Sequence, residues 1–474
     1  MPAAFSIDSH RQFAELSGDF NPIHMDAVAA RRTQAGLPVV HGVHALLRLL
    51  EVLAAQDPSL PRPRRLKASF RRMIYVGDHA QLEVGARTDS SLRAHLLVGG
   101  VEVVSATLSF EASARVPLVP AVEGKSATPP PQRPFEPSLE QLEGMKGRLS
   151  FATPAARLIE MFPSAAQYLG AERIAALACS SALVGMVVPG LNSLYGELAV
   201  ELDDDCRELA ELAYEVTSVD PRFRIVRVAV RGGGIIGLVS AISRPPPALQ
   251  PAMRALAQLV ARDEFSGSDA LVVGGSRGIG ETTAKLVAAG GARVTLTYRQ
   301  GRADAEAVAQ EIRSWGGNCN VMAYDVQENA IAQLANLPYA PTHVYYFATP
   351  TIYKRKLALF DGGRFEEFSR YYLSGFLDLA QGCAALRSQG VVRFFYPSTV
   401  YVEKRPAEMT EYAMAKSAGE VLCSDMARYM RNVQVLMRRL PRVATDQTVS
   451  LVPMTAVSAD DVMLPIAREM HAAP

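Results

Sequence analysis

The chain has 474 residues, 49% of them hydrophobic, with 49 Lys+Arg against 48 Asp+Glu. That length exceeds one ordinary core and implies about three domain-sized units at roughly 150 residues each. The near-zero net charge excludes recruitment of nucleic acid or insertion-driving attraction to an anionic membrane by the field of the whole molecule, so any anion must be held by a local cluster.

The N-terminus, MPAAFSIDSHRQF, has no basic stretch followed by an apolar run, and no secretory signal is expected. A helix is predicted near 8–17, then a loop containing DFNPIH at 19–24, then a long helix from about 42 to 55. Period-two alternation in HAQLEVGARTD, RAHLLVGG and VEVVSATLSFEA predicts three strands, so that 1–115 reads as one α+β unit. The proline-rich stretch 116–144, with ATPPPQRPFEP, reads as an extended spacer. From 145 to 245 the order returns: helical AARLIEMFPSAAQYLGAERIAAL, then SLYGELAVEL, ELAYEVTSV, FRIVRVAV and GIIGLVSAIS as strands. A long helix followed by antiparallel strands, twice, implies two α+β units packed as a pseudo-dimer. The uncharged run AALACSSALVGMVV ends at Pro189-Gly190, short of the roughly 20 residues needed to span a bilayer. It reads as buried core, and no membrane insertion is expected. A second spacer occupies 246–267, and from 268 to 474 strands alternate with helices, the pattern of a parallel doubly wound sheet. The five cysteines, Cys179, Cys206, Cys319, Cys383 and Cys423, are odd in number and lack a C-x-x-C pair. They argue against a disulfide framework and for a reducing, cytoplasmic setting.

Asp19 and His24 bring a carboxylate and an imidazole together around an Asn-Pro turn, a pair suited to moving protons at neutral pH and to holding a water between them. Asn21 and Pro22 shape the turn, and the alternative is an Asx-type turn beside a surface histidine. His41-Gly42 stands where the next helix begins, so the Gly42 N–H is a candidate oxyanion donor to a thioester carbonyl. His41 and His44 share a helix face without a third ligand nearby in the sequence, and no metal is expected. Six basic residues in RPRRLKASFRRM (Arg62, Arg64, Arg65, Lys67, Arg71 and Arg72) read either as a site for phosphates or an acidic partner, or as a solvated strand edge protected by charge. The edge reading is preferred for most of them.

FAELSGDFNPIHMD followed by GLPVVHG resembles the MaoC-type (R)-specific enoyl-CoA hydratase/dehydratase family, which has a hotdog fold. The resemblance implies that Asp19 and His24 are the catalytic pair and that the substrate is a thioester of coenzyme A or of an acyl carrier protein. The second unit, with VVPGLNSLYGELAVEL, resembles the other half of a double hotdog without the motif, and is expected to be non-catalytic.

At 270–280, ALVVGGSRGIG sets an apolar strand before Gly274, Ser276, Arg277, Gly278, Ile279 and Gly280, with a helix directly after. The glycines permit a tight turn and close approach of backbone to a pyrophosphate held at a helix N-terminus. The second strand ends in Tyr298-Arg299 rather than an acidic residue; Arg299 with Arg277 suits a 2′-phosphate, and NADP(H) is the expected cofactor. Asp325 in AYDV is placed near the adenine. Tyr412 and Lys416 in TEYAMAKSAGE lie one helical turn apart, and an ammonium beside a phenol favours the phenolate. Ser398 or Thr399, at the end of FFYPSTVY, is available for a substrate carbonyl.

Residues 268–460 resemble the short-chain dehydrogenase/reductase family, which implies Tyr412 as proton donor, Lys416 on the cofactor ribose and Ser398 or Thr399 orienting the carbonyl. FATP at 347–350 and Tyr372 depart from that family's pattern. The whole is expected to be an α+β double hotdog followed by an α/β Rossmann-type sheet. Its expected activity is bifunctional: NADPH-dependent reduction of a 3-oxoacyl thioester and dehydration of the 3-hydroxyacyl product to a 2-enoyl thioester, in fatty-acid, polyketide or related biosynthesis. Two alternatives stay open: hydration and oxidation in β-oxidation, and a dehydratase carrying a degenerate NADP(H)-binding sensor or scaffold. A homo-oligomer is expected from the resemblance.

Overall fold

A computed structural model describes residues 3–33, 35–111, 126–207, 209–352, 359–387, 389–448 and 455–472. The chain divides near Pro246/Pro247 into two compact units. The first contains β1 (Ala3–Ala4), α1 (Ile7–Ser17), α2 (Pro22–Met25), α3 (Ala27–Ala30), α4 (Gly42–Gln56), β2 (Arg65–Phe70), β3 (His79–Arg87), β4 (Ser91–Val98) and β5 (Val101–Ser109). It continues with α5 (Leu139–Leu142), β6 (Lys146–Ser150), α6 (Ala155–Met161), α7 (Pro163–Leu169), α8 (Ala171–Ala182), β7 (Ser193–Leu202), β8 (Glu211–Asp220), β9 (Ile225–Gly232) and β10 (Ile235–Ser243).

All ten strands form one antiparallel sheet in the order β1-β3-β4-β5-β2-β7-β10-β9-β8-β6. Read inward from either edge the order is the same once five is added to each strand number, so the unit is a structural duplication, the double hotdog. The halves meet where β2 pairs antiparallel with β7, Arg65 opposite Glu201 and Ser69 opposite Glu197. α4 and α8 are the two central helices. α4 buries Val43, Leu46, Leu47, Leu49, Leu50 and Leu53, and α8 is buried along nearly its whole length. A helix apolar on almost every side is stable only when enclosed, which is what the wrapped sheet provides.

The strand-edge reading of the basic cluster is corrected here. β2 is a strand, as that reading has it, but it lies at the centre of the sheet, flanked by β5 and β7. Arg65 and Lys67 point outward while Leu66 and Ala68 are buried, so the charges mark the solvent face and not an edge. In the stretch 116–144, residues up to 125 lie outside the described residues. Beyond them the chain runs extended but attached: Thr128 bridges to Leu149, Phe135 N–H donates to Met186 O (2.8 Å), and Leu191 N–H donates to Phe135 O (2.8 Å). The run 175–188 is buried core as expected, and among the described residues no single helix is long and apolar enough to cross a membrane.

The second unit comprises α9 (Met253–Leu256), β11 (Asp269–Val273), α10 (Gly278–Ala289), β12 (Arg293–Tyr298), α11 (Arg302–Ser314), β13 (Asn318–Ala323), α12 (Ala330–Leu334), β14 (His343–Tyr346), α13 (Gly362–Ser369), α14 (Gly375–Leu386), β15 (Val392–Thr399), α15 (Tyr401–Lys404), α16 (Thr410–Tyr429), β16 (Val433–Leu440) and α17 (Ala459–His471). Its six strands are parallel in the order β13-β12-β11-β14-β15-β16, the doubly wound arrangement in which the strand order reverses between β11 and β14. Two cores cover its faces, one built with α10, α11 and α17, the other with α12, α13, α14 and α16. In the stretch 246–267, Met253 and Leu256 are buried in the first of these cores, and Met253 N–H donates to Glu311 (2.7 Å).

Candidate active sites

The DFNPIH loop is pinned at both ends of its turn. Asn21 caps α2 by accepting from Ile23 N–H, and its Nδ2 reaches across to Gly185 O (2.6 Å), Gly190 O (3.1 Å) and Leu191 O (3.3 Å). Asp19 is only 2% exposed. One carboxylate oxygen accepts from Asn21 N–H (3.2 Å), the other from the Ser181 hydroxyl (2.7 Å). Burial raises its pKa, against the pull of His24 and these two donors. His24 Nδ1 lies 2.7 Å from Val39 O, an acceptor only, so Nδ1 carries the proton and Nε2 keeps its lone pair. Burial also lowers the pKa of His24, holding it neutral near pH 7.

His41 stacks on His24 with ring centroids 3.9 Å apart, and its Nε2 donates to the backbone carbonyl of Asp19 (2.9 Å). His10 in turn donates to His24 O (2.9 Å). Asp19, His24 and His41 thus present atoms within 4.8 Å of one another, a group with metal-ligand types. Because His41 Nε2 is already bonded to a carbonyl, the arrangement serves proton transfer better than coordination. His44 does not join it: its ring stacks on Phe13 at 4.8 Å. Gly42 opens α4, where its N–H has no intrahelical acceptor, and a Cβ there would lie 2.9 Å from the Phe70 ring.

The sequence reading missed two residues of this site, both on the central helix of the other half. Ser181 is one. The other is Gly185, where a Cβ would lie 2.2 Å from Asp19 Oδ1. It sits in a π-turn, Leu183–Val187, closed by Val188 N–H to Leu183 O (2.7 Å). Two serines inside an otherwise apolar run were the available signal, since buried hydroxyls need partners.

In the second unit the glycine loop leaves β11 at the point where the strand order reverses. Gly274 has φ +80°, and a Cβ on Gly280 would lie 2.2 Å from Gly274 O, so this cradle exists only without side chains there. Ser276 is buried and Ile279 packs on the core. Arg277 and Arg299 both have carboxylate partners: Arg277 pairs with Asp446 (2.5 Å), while Arg299 pairs with Asp325 (2.8 Å) and donates to the Tyr371 hydroxyl (2.5 Å).

Tyr412 and Lys416 share one face of α16. The Tyr412 ring packs edge-on against Phe368, Tyr372 and Tyr401. Lys416 is buried; its Nζ donates to Pro397 O (2.6 Å) and lies 3.8 Å from the centre of the Tyr372 ring. Burial pushes its pKa down to about 7. Ser398 donates to Glu420 (2.5 Å), which is paired with Arg439, while Thr399 Oγ1 accepts from Tyr401 N–H (3.2 Å). Tyr372 lies in a second π-turn, Arg370–Ser374, and its hydroxyl is hydrogen-bonded to Thr349 (2.5 Å). The two departures from the family pattern are therefore partners of each other. A π-turn releases carbonyls from their usual bonds, and here Tyr346 and Tyr396 hydroxyls donate to Tyr371 O (2.5 Å) and Tyr372 O (3.1 Å).

Two folds thus follow one another along the chain, each with its own cluster of buried titratable side chains. Residues 2–105 match the family model of the MaoC like domain, and residues 268–337 match that of the short chain dehydrogenase. The chain joins a MaoC-like domain to a short-chain dehydrogenase domain. It is 38% identical over 76 residues to an (R)-specific enoyl-CoA hydratase of Aeromonas caviae, covering 15% of this chain and 54% of that protein. It is 34% identical over 76 residues to a 3-hydroxybutyryl-CoA dehydratase of Methylorubrum extorquens, covering 15% and 46%. The chain spans about half the length of these curated relatives. Among solved structures it is similar to a short chain dehydrogenase from Burkholderia cenocepacia J2315 in complex with NADP (23% identity, TM-score 0.39, covering 44% of this chain and 91% of that one). A 3-oxoacyl (acyl-carrier-protein) reductase from Agrobacterium tumefaciens C58 with NADP bound is similar at 24% identity and TM-score 0.35, covering 39% and 73%.

Proposed function

We propose a bifunctional enzyme that reduces a 3-oxoacyl thioester with NADPH and dehydrates the resulting 3-hydroxyacyl thioester to a 2-enoyl thioester, in a biosynthetic direction. The observation that carries the reading is the buried Asp19/His24 pair, with a neutral imidazole facing a carboxyl group held by two donors. In this reading 1–115 carries the dehydratase chemistry, 145–245 completes its site without a second motif, and 268–474 is the reductase.

Dehydration removes a proton from C2 and a hydroxyl from C3. Asp19 and His24 share these transfers, one taking the C2 proton and the other protonating the departing hydroxyl, so that water leaves between them. The Gly42 N–H is aimed to stabilise charge on the thioester oxygen. In the second unit the glycine cradle fits a dinucleotide pyrophosphate, with Gly274, Ser276, Arg277, Gly278, Ile279 and Gly280 around it; Arg299 and Asp325 flank the adenosine end. NADP(H), when bound, supplies the hydride. Tyr412 delivers the proton to the carbonyl oxygen, Thr399 or Ser398 orients that carbonyl, and Lys416 favours the phenolate. A lysine titrating near neutrality is also able to pass a proton on. Because Arg299 and Arg277 each have a carboxylate partner, a 2′-phosphate must compete with Asp325 and Asp446 for them. All five cysteines are free and buried, in keeping with a cytoplasmic setting.

The test is oxidation of NADPH and of NADH by purified protein given a short 3-oxoacyl-CoA, with product masses followed. NADPH consumption with an enoyl product is expected. Preference for NADH would favour the oxidative direction, and tight NADP(H) binding without turnover would favour a sensor or scaffold.

A further inference from the structure

Arg244 follows β10 directly, and its backbone is tied to the DFNPIH loop through a single turn. Its N–H donates to Asn192 O (2.6 Å), and the two residues before Asn192 supply the carbonyls that accept from Asn21 Nδ2. From the other side Arg224 donates through Nε to Ser243 O (2.5 Å) and through Nη2 to Arg244 O (3.4 Å). The main chain at Arg244 is thus fixed on both sides.

The guanidinium is treated differently. Its Nε is buried without a hydrogen-bond partner, and among the described residues no carboxylate forms an ion pair with it. Burial pushes its pKa down to about 10 with no carboxylate opposing the shift, and its charge lowers the pKa of His24. Withdrawing part of a cation from water without a counterion is costly; Arg148 and Arg173, also largely covered in this unit, each meet a carboxylate, whereas among the described residues half-buried Arg244 does not. Arg244 thus keeps an unmatched charge on a backbone fixed to the turn that holds Asn21, and such a charge is matched when an anion enters.

We propose that Arg244 is the counterion for a second carboxylate on the acyl chain of the thioester bound at Asp19/His24, since the carrier's phosphate lies a whole pantetheine arm from the thioester. The inference rests on the dehydratase reading of that site. Arg244 is a binding residue in this account, so its loss raises KM and leaves kcat nearly intact.

The experiment measures hydration of 2-butenoyl-CoA, of the neutral 2-butenoyl N-acetylcysteamine thioester and of the N-acetylcysteamine thioester of a 2-enedioic half-acid, using wild type, Arg244→Gln and Arg244→Lys. A rise in KM of about tenfold for the half-acid thioester in Arg244→Gln, with the neutral thioester and 2-butenoyl-CoA unchanged and Arg244→Lys partly restored, is expected. The same rise for 2-butenoyl-CoA and not for the half-acid would place Arg244 on the carrier's phosphate and overturn the inference. The unchanged neutral thioester also shows that the variant is folded. Equal KM values for all three thioesters, or a loss shared by all three, overturn the inference while the dehydratase reading stands. Absence of hydration by the wild type on every thioester overturns that reading and the inference with it.

Discussion

The two halves of the first unit share one strand order and one central helix each, yet they treat their helices differently. α4 presents its N-terminus, His41-Gly42, to the motif loop of its own half. α8 presents its C-terminal end, Ser181 and the π-turn at Gly185, to the same carboxylate. A duplicated fold has thus been used once as motif and once as wall. The half that lacks the motif still helps to decide where the Asp19 carboxylate points, because Ser181, which donates to one of its oxygens, and Gly185, which leaves room for the other, belong to that half.

Substitutions can break this division in order of expected effect. Asp19→Asn removes the titrating group and is expected to lower dehydration by about 10²–10⁴-fold, read by loss of enoyl product with NADPH consumption retained. The fold raises the Asp19 pKa above its unfolded value of 3.8, so ionised Asp19 opposes folding at pH 7, and stability falls as pH rises through the interval between the two values. The amide should therefore melt no lower than wild type at pH 7. Gly185→Ala places a methyl 2.2 Å from Asp19 Oδ1 and is expected to cost about 10²-fold in kcat through displacement of the carboxylate. Normal turnover in that variant would mean that the second half is a passive scaffold.

Ser181→Ala should cost less, about tenfold. Its signature is a pH profile. The hydroxyl lowers the Asp19 pKa, so its loss raises it, and the acid limb of the dehydration rate should move to higher pH. An unmoved limb would assign Ser181 to packing alone. The smallest effect is expected for His44→Leu. Both ring nitrogens of His44 are buried without partners and the ring stacks on Phe13, so an apolar replacement should leave turnover within about twofold and stabilise the unit by about 1 kcal/mol, measured by denaturant titration. A large loss there would widen the histidine set beyond His10, His24 and His41.

What was legible in the sequence was local. The Asp19/His24 spacing, the glycine loop and the Tyr412/Lys416 turn each fit within one element and its flanks. α4 and the strands from β3 to β5 announced themselves by periodicity. The central place of β2 was hidden by charges on its outward face, and β6, KGRLS, offers too few apolar residues to show a period. The partners of Asp19 were out of reach for another reason: Ser181 lies 162 residues away in sequence, and only the joining of the two halves through β2 and β7 brings it back. The same holds for Arg277 and Arg299. Their charge was visible, but Asp446 stands 169 residues from Arg277, and the pairing of Arg299 with Asp325 depends on β12 and β13 lying side by side.

The π-turn at Leu183–Val187 contains one residue more than a regular helical turn would hold. Deleting a single residue there would return the segment to an even α-helix and rotate everything after it by about 100°, carrying Gly185 away from Asp19 while the upstream core contacts of α8 stayed in place. The same rotation would pull Gly190 and Leu191, whose carbonyls hold Asn21, out of place, so one residue sets both the fit at the carboxylate and the anchor of the motif loop.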